Sequence, residues 1–142
     1  MPTSRLRRRR AVSLLALAGV GGCGFDPVGE VPFDPPAEYR AWWAATEACS
    51  GRRGDFDRVR WFVIEGEGFQ CPSGRCAGHW EDDHTIYLAS AWTRSELVVR
   101  HEILHDLIGR PGHPDPPFGR GCGLTWETWR DGGDGAGSVS PP

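Results

Sequence analysis

Residues 93–113 read TRSELVVRHEILHDLIGRPGH, and this stretch is the most informative part of the sequence about its fold. Its apolar residues recur at helical spacing. Thr93 and Glu96 have the spacing of a capping box at the start of a helix. Gly109, with a proline two residues later, ends the pattern, because glycine favours a left-handed cap and proline cannot continue a helix. The stretch therefore predicts a helix over residues 94–108.

Two histidines share one face of this predicted helix. His101 and His105 stand four residues apart, so their imidazoles lie one turn apart and can reach the same metal ion. Glu102 is rotated by about 100° from His101, which makes it a poor third ligand. Its carboxylate can instead take a proton from a water molecule at the metal. Glu102 is thus the candidate general base of a candidate metal centre.

A catalytic zinc site needs a third protein ligand and an open position. His113 is the first candidate, because the glycines and the proline after the helix allow the chain to turn back under the metal. Asp115 and Glu127 remain alternatives at this point, since carboxylates also bind zinc.

The sequence His101-Glu102-Ile103-Leu104-His105 resembles the His-Glu-x-x-His motif of zinc-dependent peptidases, the zincins. With His113 it is similar to the metzincin pattern, although His113 stands eight residues after His105, where that pattern has six. Met1 is the only methionine, so a methionine turn beneath the site is impossible. The resemblance implies a zinc-dependent endopeptidase that hydrolyses peptide bonds through a zinc-activated water. The alternative is a non-catalytic zinc-binding envelope lipoprotein.

The rest of the chain predicts a small α+β domain. Residues 37–50 have helical spacing of apolar groups, and residues 59–64 and 84–89 have the composition of strands. We expect a zincin-like fold with an N-terminal helix, a small, mostly antiparallel sheet and the zinc-binding helix. In zincins the strand before the active helix is commonly the sheet edge that pairs with substrate, which implies that role for residues 84–89. Candidate donors to the developing oxyanion are Tyr87, His84 and Arg120.

The N-terminus has the pattern of an export signal. An arginine-rich segment is followed by the apolar residues 11–20 and by Gly21-Gly22-Cys23. Together with Val20 this sequence resembles the lipobox of bacterial lipoproteins. The resemblance implies a signal peptide over residues 1–22 and a lipid anchor at Cys23. The mature protein would then lie in the bacterial envelope, at the outer membrane, in the periplasm or on the cell surface.

The remaining organisation follows from composition and charge. Residues 23–37 are rich in Gly, Pro and Asp and predict a flexible tether, residues 38–131 form the catalytic domain, and residues 132–142 predict a disordered tail. Five of the 16 basic residues lie in the signal peptide, which leaves 11 against 19 acids, a formal balance of −8. This balance argues against a nucleic-acid partner. We expect a peptide or protein substrate and a monomer.

Four cysteines remain after Cys23 is set aside, an even number that favours two disulfides in an exported chain. Three pairings are possible. Cys71 and Cys76 flank a Pro-Ser-Gly-Arg turn, so we favour Cys71–Cys76 and Cys49–Cys122. A four-cysteine zinc site is the rival interpretation, but it lacks close Cys-x-x-Cys pairs.

Overall fold

The computed structural model describes residues 25–129. Within that range the chain forms two α-helices and six short β-strands, so the fold class is α+β as predicted. The elements are β1 (Glu30–Pro32), α1 (Glu38–Ser50), β2 (Arg60–Ile64), β3 (Phe69–Cys71), β4 (Gly74–Cys76), β5 (Gly78–Glu81), β6 (Thr85–Ala89) and α2 (Glu96–Ile108). Two short 3₁₀ turns, Phe56–Arg58 and Ser90–Trp92, precede β2 and α2.

Four strands form the main sheet in the order β1-β2-β6-β5, and β3 pairs with β4 in a separate hairpin. The two outer pairs are antiparallel, but the central pair, β2 and β6, is parallel, with Trp61 opposite Ile86. The sheet is therefore mostly antiparallel, as expected, but its parallel central pair makes it mixed. After β2 the chain passes through the β3–β4 hairpin and then runs back along β5. Strand β6 therefore begins near the N-terminal end of β2 and runs parallel to it.

The long elements lie close to where the sequence predicts them. Helix α1 begins at Glu38, and α2 covers Glu96–Ile108 and ends at Gly109 in a left-handed conformation. The start of α2 differs from the prediction: its cap is Ser95, whose hydroxyl accepts a hydrogen bond from the Val98 N–H, and not Thr93. Thr93 is used by the preceding 3₁₀ turn, where its hydroxyl donates to the Ser90 carbonyl at 3.1 Å.

The segment predicted as a tether, residues 23–37, is partly ordered into the domain. Residues 30–32 form β1 and pair with β2, and the Phe25 and Phe33 side chains pack against the core. The Phe25 ring lies 5.1 Å from the Tyr87 ring on the sheet. This segment is rich in glycine and proline, so its composition does not indicate that its apolar side chains pack on the domain. Their packing stabilises the folded state, because it removes apolar surface from water.

The two helices pack on each other, and α2 also packs on β5. The Tyr39 hydroxyl donates to the Thr93 carbonyl at 2.6 Å, which ties α1 to the start of α2. The Cys49 and Cys122 sulfurs are 1.99 Å apart, so the pairing favoured from the sequence links α1 to the loop after α2. Cys71 and Cys76 are also at disulfide distance, across the β3–β4 hairpin.

Among residues 25–129, neither helix is long and apolar enough to cross a membrane. The predicted signal peptide (1–22), the lipid anchor predicted at Cys23 and the predicted disordered tail (132–142) lie outside the described residues.

Candidate metal centre

Helix α2 and the turn after it bring three histidines together. His101 and His105 project from one face of α2, as their spacing predicts. Gly109 has a φ of 65°, which only a residue without a β-carbon adopts readily, and it redirects the chain out of the helix. His113 consequently returns to the two helical histidines, with its Nε2 2.9 Å from His101 Nε2.

The three imidazoles form a nearly equilateral triangle. Their ring centroids lie 5.0 Å apart for His101 and His105, 4.7 Å for His101 and His113, and 5.0 Å for His105 and His113. Each residue offers one nitrogen, and these three nitrogens lie within 4.8 Å of one another. Nitrogens bound tetrahedrally to one zinc ion lie about 3.3 Å apart, so small side-chain adjustments suffice for all three to bind one ion.

Backbone carbonyls orient the two helical imidazoles. His101 Nδ1–H donates to the Leu124 carbonyl at 2.7 Å, and His105 Nδ1–H donates to the Arg110 carbonyl at 3.1 Å. Because a carbonyl only accepts, the proton of each ring is on Nδ1 and the lone pair is on Nε2. Such a hydrogen bond on the far side of a histidine ligand sets its tautomer and increases its basicity toward a metal.

Burial keeps these imidazoles neutral. It lowers the pKa of His101 to about 3 and that of His105 to about 4, and it also lowers the pKa of the more exposed His113. At neutral pH protons therefore do not compete with a metal ion for the ring nitrogens. The donor set of three neutral imidazoles fits a zinc ion with one open position, although imidazole also binds copper, iron and nickel.

Phe118 forms an apolar base under all three histidines. Its ring centroid lies 4.9 Å from that of His101, 4.7 Å from His105 and 4.8 Å from His113. The side chain is fully buried and belongs to a small core cluster with Leu104 and Leu124. Phe118 thus provides the apolar surface beneath the three histidines. A methionine turn cannot provide it, because Met1 is the only methionine of the chain.

Glu102 lies beside the histidines and faces β5. The residue is buried, with 6% of its surface exposed, and its carboxylate packs against the Cα of Gly78. A β-carbon at residue 78 would lie 2.7 Å from Glu102 Oε1, so only glycine leaves room for this carboxylate. Burial raises the pKa of Glu102 to about 8, because the charged form loses its hydration.

A cavity of about 410 Å³ opens beside the metal centre. Glu102, His101 and His113 are among its lining residues. The lining also includes residues 75–78, which lead from the β3–β4 hairpin into β5, and residues 124–127. The Glu102 carboxyl and two of the three clustered histidines therefore border the same cavity.

The other candidate ligands lie outside the histidine cluster. The Asp115 carboxylate accepts hydrogen bonds from the Arg120 N–H at 2.6 Å and from the Arg120 side chain at 3.3 Å. Glu127 is exposed on the cavity wall and interacts with Thr125. His113 is thus the residue that completes a three-ligand group with the helical pair in the described part of the chain.

The strand before α2 is not the sheet edge, contrary to the expectation for residues 84–89. Strand β6 pairs with β2 on one side and with β5 on the other, so both of its edges are used. Strand β5 takes the edge position because the acidic turn after it folds back into a hairpin with β6.

The three candidate oxyanion donors are engaged elsewhere, and none of them lines the cavity. Tyr87 stacks on Phe62, His84 bonds to Asp106, and Arg120 bonds to Asp115.

Sequence patterns missed the residues that surround the ligands. Phe118, Gly78 and Trp80 support the site from loops or strands distant in sequence, and no local periodicity indicates them. Asp106 directly follows His105 on α2. It is buried, and it accepts hydrogen bonds at 2.9 Å from both Trp80 Nε1 and His84 Nδ1.

Comparisons with known proteins do not identify the chain: no family model, curated protein or solved structure matches it. A function has to be inferred from the chemistry of its own residues.

Proposed function

We propose that the chain is a zinc-dependent endopeptidase with a zincin-like active-site helix. The observation that carries the proposal is the convergence of three imidazole nitrogens within 4.8 Å beside a buried carboxylate that opens on a cavity. His101, His105 and His113 would hold the zinc ion, and Glu102 would be the general base. The helical position of the motif His101–His105 supports this assignment.

Held by His101, His105 and His113, a zinc ion would supply Lewis-acid chemistry, a lowered water pKa and a polarised scissile carbonyl. Glu102 receives the proton of the attacking water on a carboxylate oxygen and then delivers it to the leaving amine. A positive charge at the three histidines favours the ionised form of Glu102, which opposes the effect of burial on its pKa. Phe118 is fully buried against the three histidines and would exclude water from that side of the site, which would strengthen the electrostatic interactions within it.

The alternative of a non-catalytic zinc-binding lipoprotein does not require Glu102. Within residues 25–129, the Glu102 carboxylate has no hydrogen-bond or ion-pair partner, and burying such a group destabilises the folded state. A storage site would be more stable with an apolar residue there. Retention of a buried carboxyl beside three histidines and a cleft favours the catalytic role.

We further propose that the protein is exported and anchored to the membrane through Cys23. Two cysteine pairs at disulfide distance support an oxidising compartment. Incorporation of labelled fatty acid into the parent, and its loss in Cys23→Ser, would test the anchor.

The central experiment measures zinc per chain and peptide hydrolysis on the same preparations. We expect about one zinc in the parent and in Glu102→Gln, hydrolysis only in the parent, and loss of zinc in His113→Ala. Asp115→Ala is the matched control for His113→Ala, because it removes the neighbouring candidate ligand from the same loop. A Glu102→Gln variant as active as the parent would refute the mechanism. No zinc in the parent would refute both functions.

A further inference from the structure

The residues that line the cavity beside the metal centre include one arginine, Arg75. Arg75 belongs to β4 in the hairpin that Cys71 and Cys76 close. It is the only Arg or Lys among the cavity-lining residues of the described chain. A positively charged side chain in this cavity is notable, because the mature protein is predicted to be strongly acidic.

The Arg75 side chain lies along the backbone of Gly68. A β-carbon at residue 68 would lie 3.0 Å from Arg75 Nε and 3.3 Å from Arg75 Cγ, so glycine provides the space through which this side chain passes. The stem of Arg75 is therefore positioned against the fold before any ligand arrives.

No acid in the described residues lies within salt-bridge distance of Arg75. Arg60, Arg100 and Arg120, in contrast, each pair with a carboxylate. Arg75 is thus an exposed cavity-lining arginine without an ion-pair partner in the described residues, and a planar guanidinium recognises a carboxylate through paired hydrogen bonds.

Apolar and aromatic side chains line the cavity next to this arginine. Leu97 is a core residue with 6% of its surface exposed, and Trp126 is 41% exposed; both line the cavity. The Trp126 ring stands edge to face on Trp92 at 5.7 Å, and the Trp92 indole N–H donates to the Glu67 carbonyl at 2.8 Å. An exposed aromatic ring held in this way offers contact area at little cost in side-chain entropy.

We propose that this cavity selects peptides in which a carboxylate stands near an apolar side chain, with Arg75 binding the carboxylate and Leu97 and Trp126 contacting the apolar group. The proposal rests on the peptidase function proposed above and names its substrate class. The carboxylate can belong to an aspartate or glutamate side chain or to the C-terminus of the peptide. Arg75 is then a specificity-determining residue, while His101, His105, His113 and Glu102 carry the chemistry.

The test measures binding, so it does not depend on hydrolysis. Fluorescently labelled peptides carry one Glu at each position in turn, each with a matched Gln peptide and with a free or amidated C-terminus. Their Kd values are determined by anisotropy on the zinc-loaded full chain of Glu102→Gln, with and without Arg75→Gln. We expect one Glu position, or the free C-terminus, to bind about three- to tenfold more tightly than its neutral match, and Arg75→Gln to abolish the difference.

Two further variants separate charge from structure. Arg75→Glu should reverse the preference in favour of a Lys peptide, whereas Arg75→Lys should retain part of it, because it keeps the charge but not the paired geometry. Arg52→Gln is the matched control: Arg52 is exposed, lies at the end of α1 and does not line the cavity. It should leave every peptide preference unchanged.

The failures of the two proposals are distinguishable. Peptides that the parent hydrolyses without any Glu-to-Gln difference would overturn the role of Arg75 and leave the peptidase function intact. A preference that persists in Arg75→Gln would overturn it equally. If no peptide is bound and none is hydrolysed while zinc is present, both proposals fail and a non-catalytic zinc protein remains.

Discussion

Gly78 makes the room that the Glu102 carboxylate occupies. The two residues come from β5 and α2, and a β-carbon on Gly78 would lie 2.7 Å from Glu102 Oε1 and 2.8 Å from Glu102 Cγ. Gly78 does not have a positive φ, so the backbone itself tolerates a side chain there. The steric requirement comes from Glu102 alone, and it links the first residue of the edge strand to the proposed general base.

Gly78→Ala should therefore damage catalysis more than metal binding. The new methyl group displaces the Glu102 carboxylate, and a shift of about 1 Å in a reacting group costs up to about a hundredfold in rate. We expect kcat for peptide hydrolysis to fall about ten- to hundredfold while zinc per chain stays near that of the parent. Unchanged kcat, or zinc loss in proportion to kcat, would contradict this role.

Trp80 and Asp106 should hold His105 in place. The Trp80 ring stacks nearly parallel to the His105 imidazole, with centroids 6.1 Å apart, and its indole N–H donates to buried Asp106 at 2.9 Å. Asp106→Ala removes this acceptor, so we expect the zinc Kd to increase about tenfold and the free energy of unfolding to fall by about 1–3 kcal/mol. Competition with a fluorescent chelator measures the zinc Kd.

Asp106→Asn is the conservative partner of that variant, because its amide oxygen can still accept from Trp80 and His84. It should recover most of the zinc affinity. Equal zinc Kd values for Asp106→Ala and the parent would show that the contact supports folding only.

Replacement of Phe118 should weaken metal binding beyond its effect on stability. Phe118→Leu keeps most of the buried volume and should cost less than about 1.5 kcal/mol, but it removes the ring that contacts all three imidazoles. We expect an increase in zinc Kd of about three- to tenfold. Leu88→Val is the control: Leu88 is fully buried in the other core cluster, so this variant should reduce stability without changing the zinc Kd.

The pH dependence of stability in EDTA should reveal the buried Glu102. Its pKa is raised to about 8 in the folded chain, so between about pH 4.5 and 8 the folded state binds a proton that the unfolded state has lost. The stability that this proton contributes is complete below the unfolded pKa and is lost as the pH rises through 8. Relative to Glu102→Gln, the parent should lose up to about 1.4 kcal/mol per pH unit in this window.

His101 and His105 act in the opposite direction. Their folded pKa values lie below the ordinary 6.5, so stability falls as the pH decreases from about 6.5 toward 4. Both proteins contain these histidines, and the difference between parent and Glu102→Gln therefore isolates the carboxyl. Denaturant titrations from pH 4.5 to 8.5 measure it, and parallel stability curves would contradict the prediction.

Local patterns predicted the elements that depend on local interactions. Helices α1 and α2 lie within a few residues of their predicted ranges, and so do β2 and β6, because apolar periodicity and the Gly109 cap act over a few neighbouring residues. Strands β1, β3, β4 and β5 were missed, and β1 and β5 show the reason. Each is only three or four residues long and is ordered by a partner strand elsewhere in the chain, so its own sequence contains little signal.

The sequence alone determined the geometry of His101, Glu102 and His105, because positions one and four apart on a helix have a set angular relation. It also indicated His113, through the glycines and proline that end the helix. Only the tertiary structure decided against Asp115 and Glu127 as members of the histidine cluster, placed Phe118 beneath it, and put Gly78 and Arg75 along the cavity. These residues are far apart in sequence and come together only through tertiary packing. Local periodicity therefore does not predict their contacts.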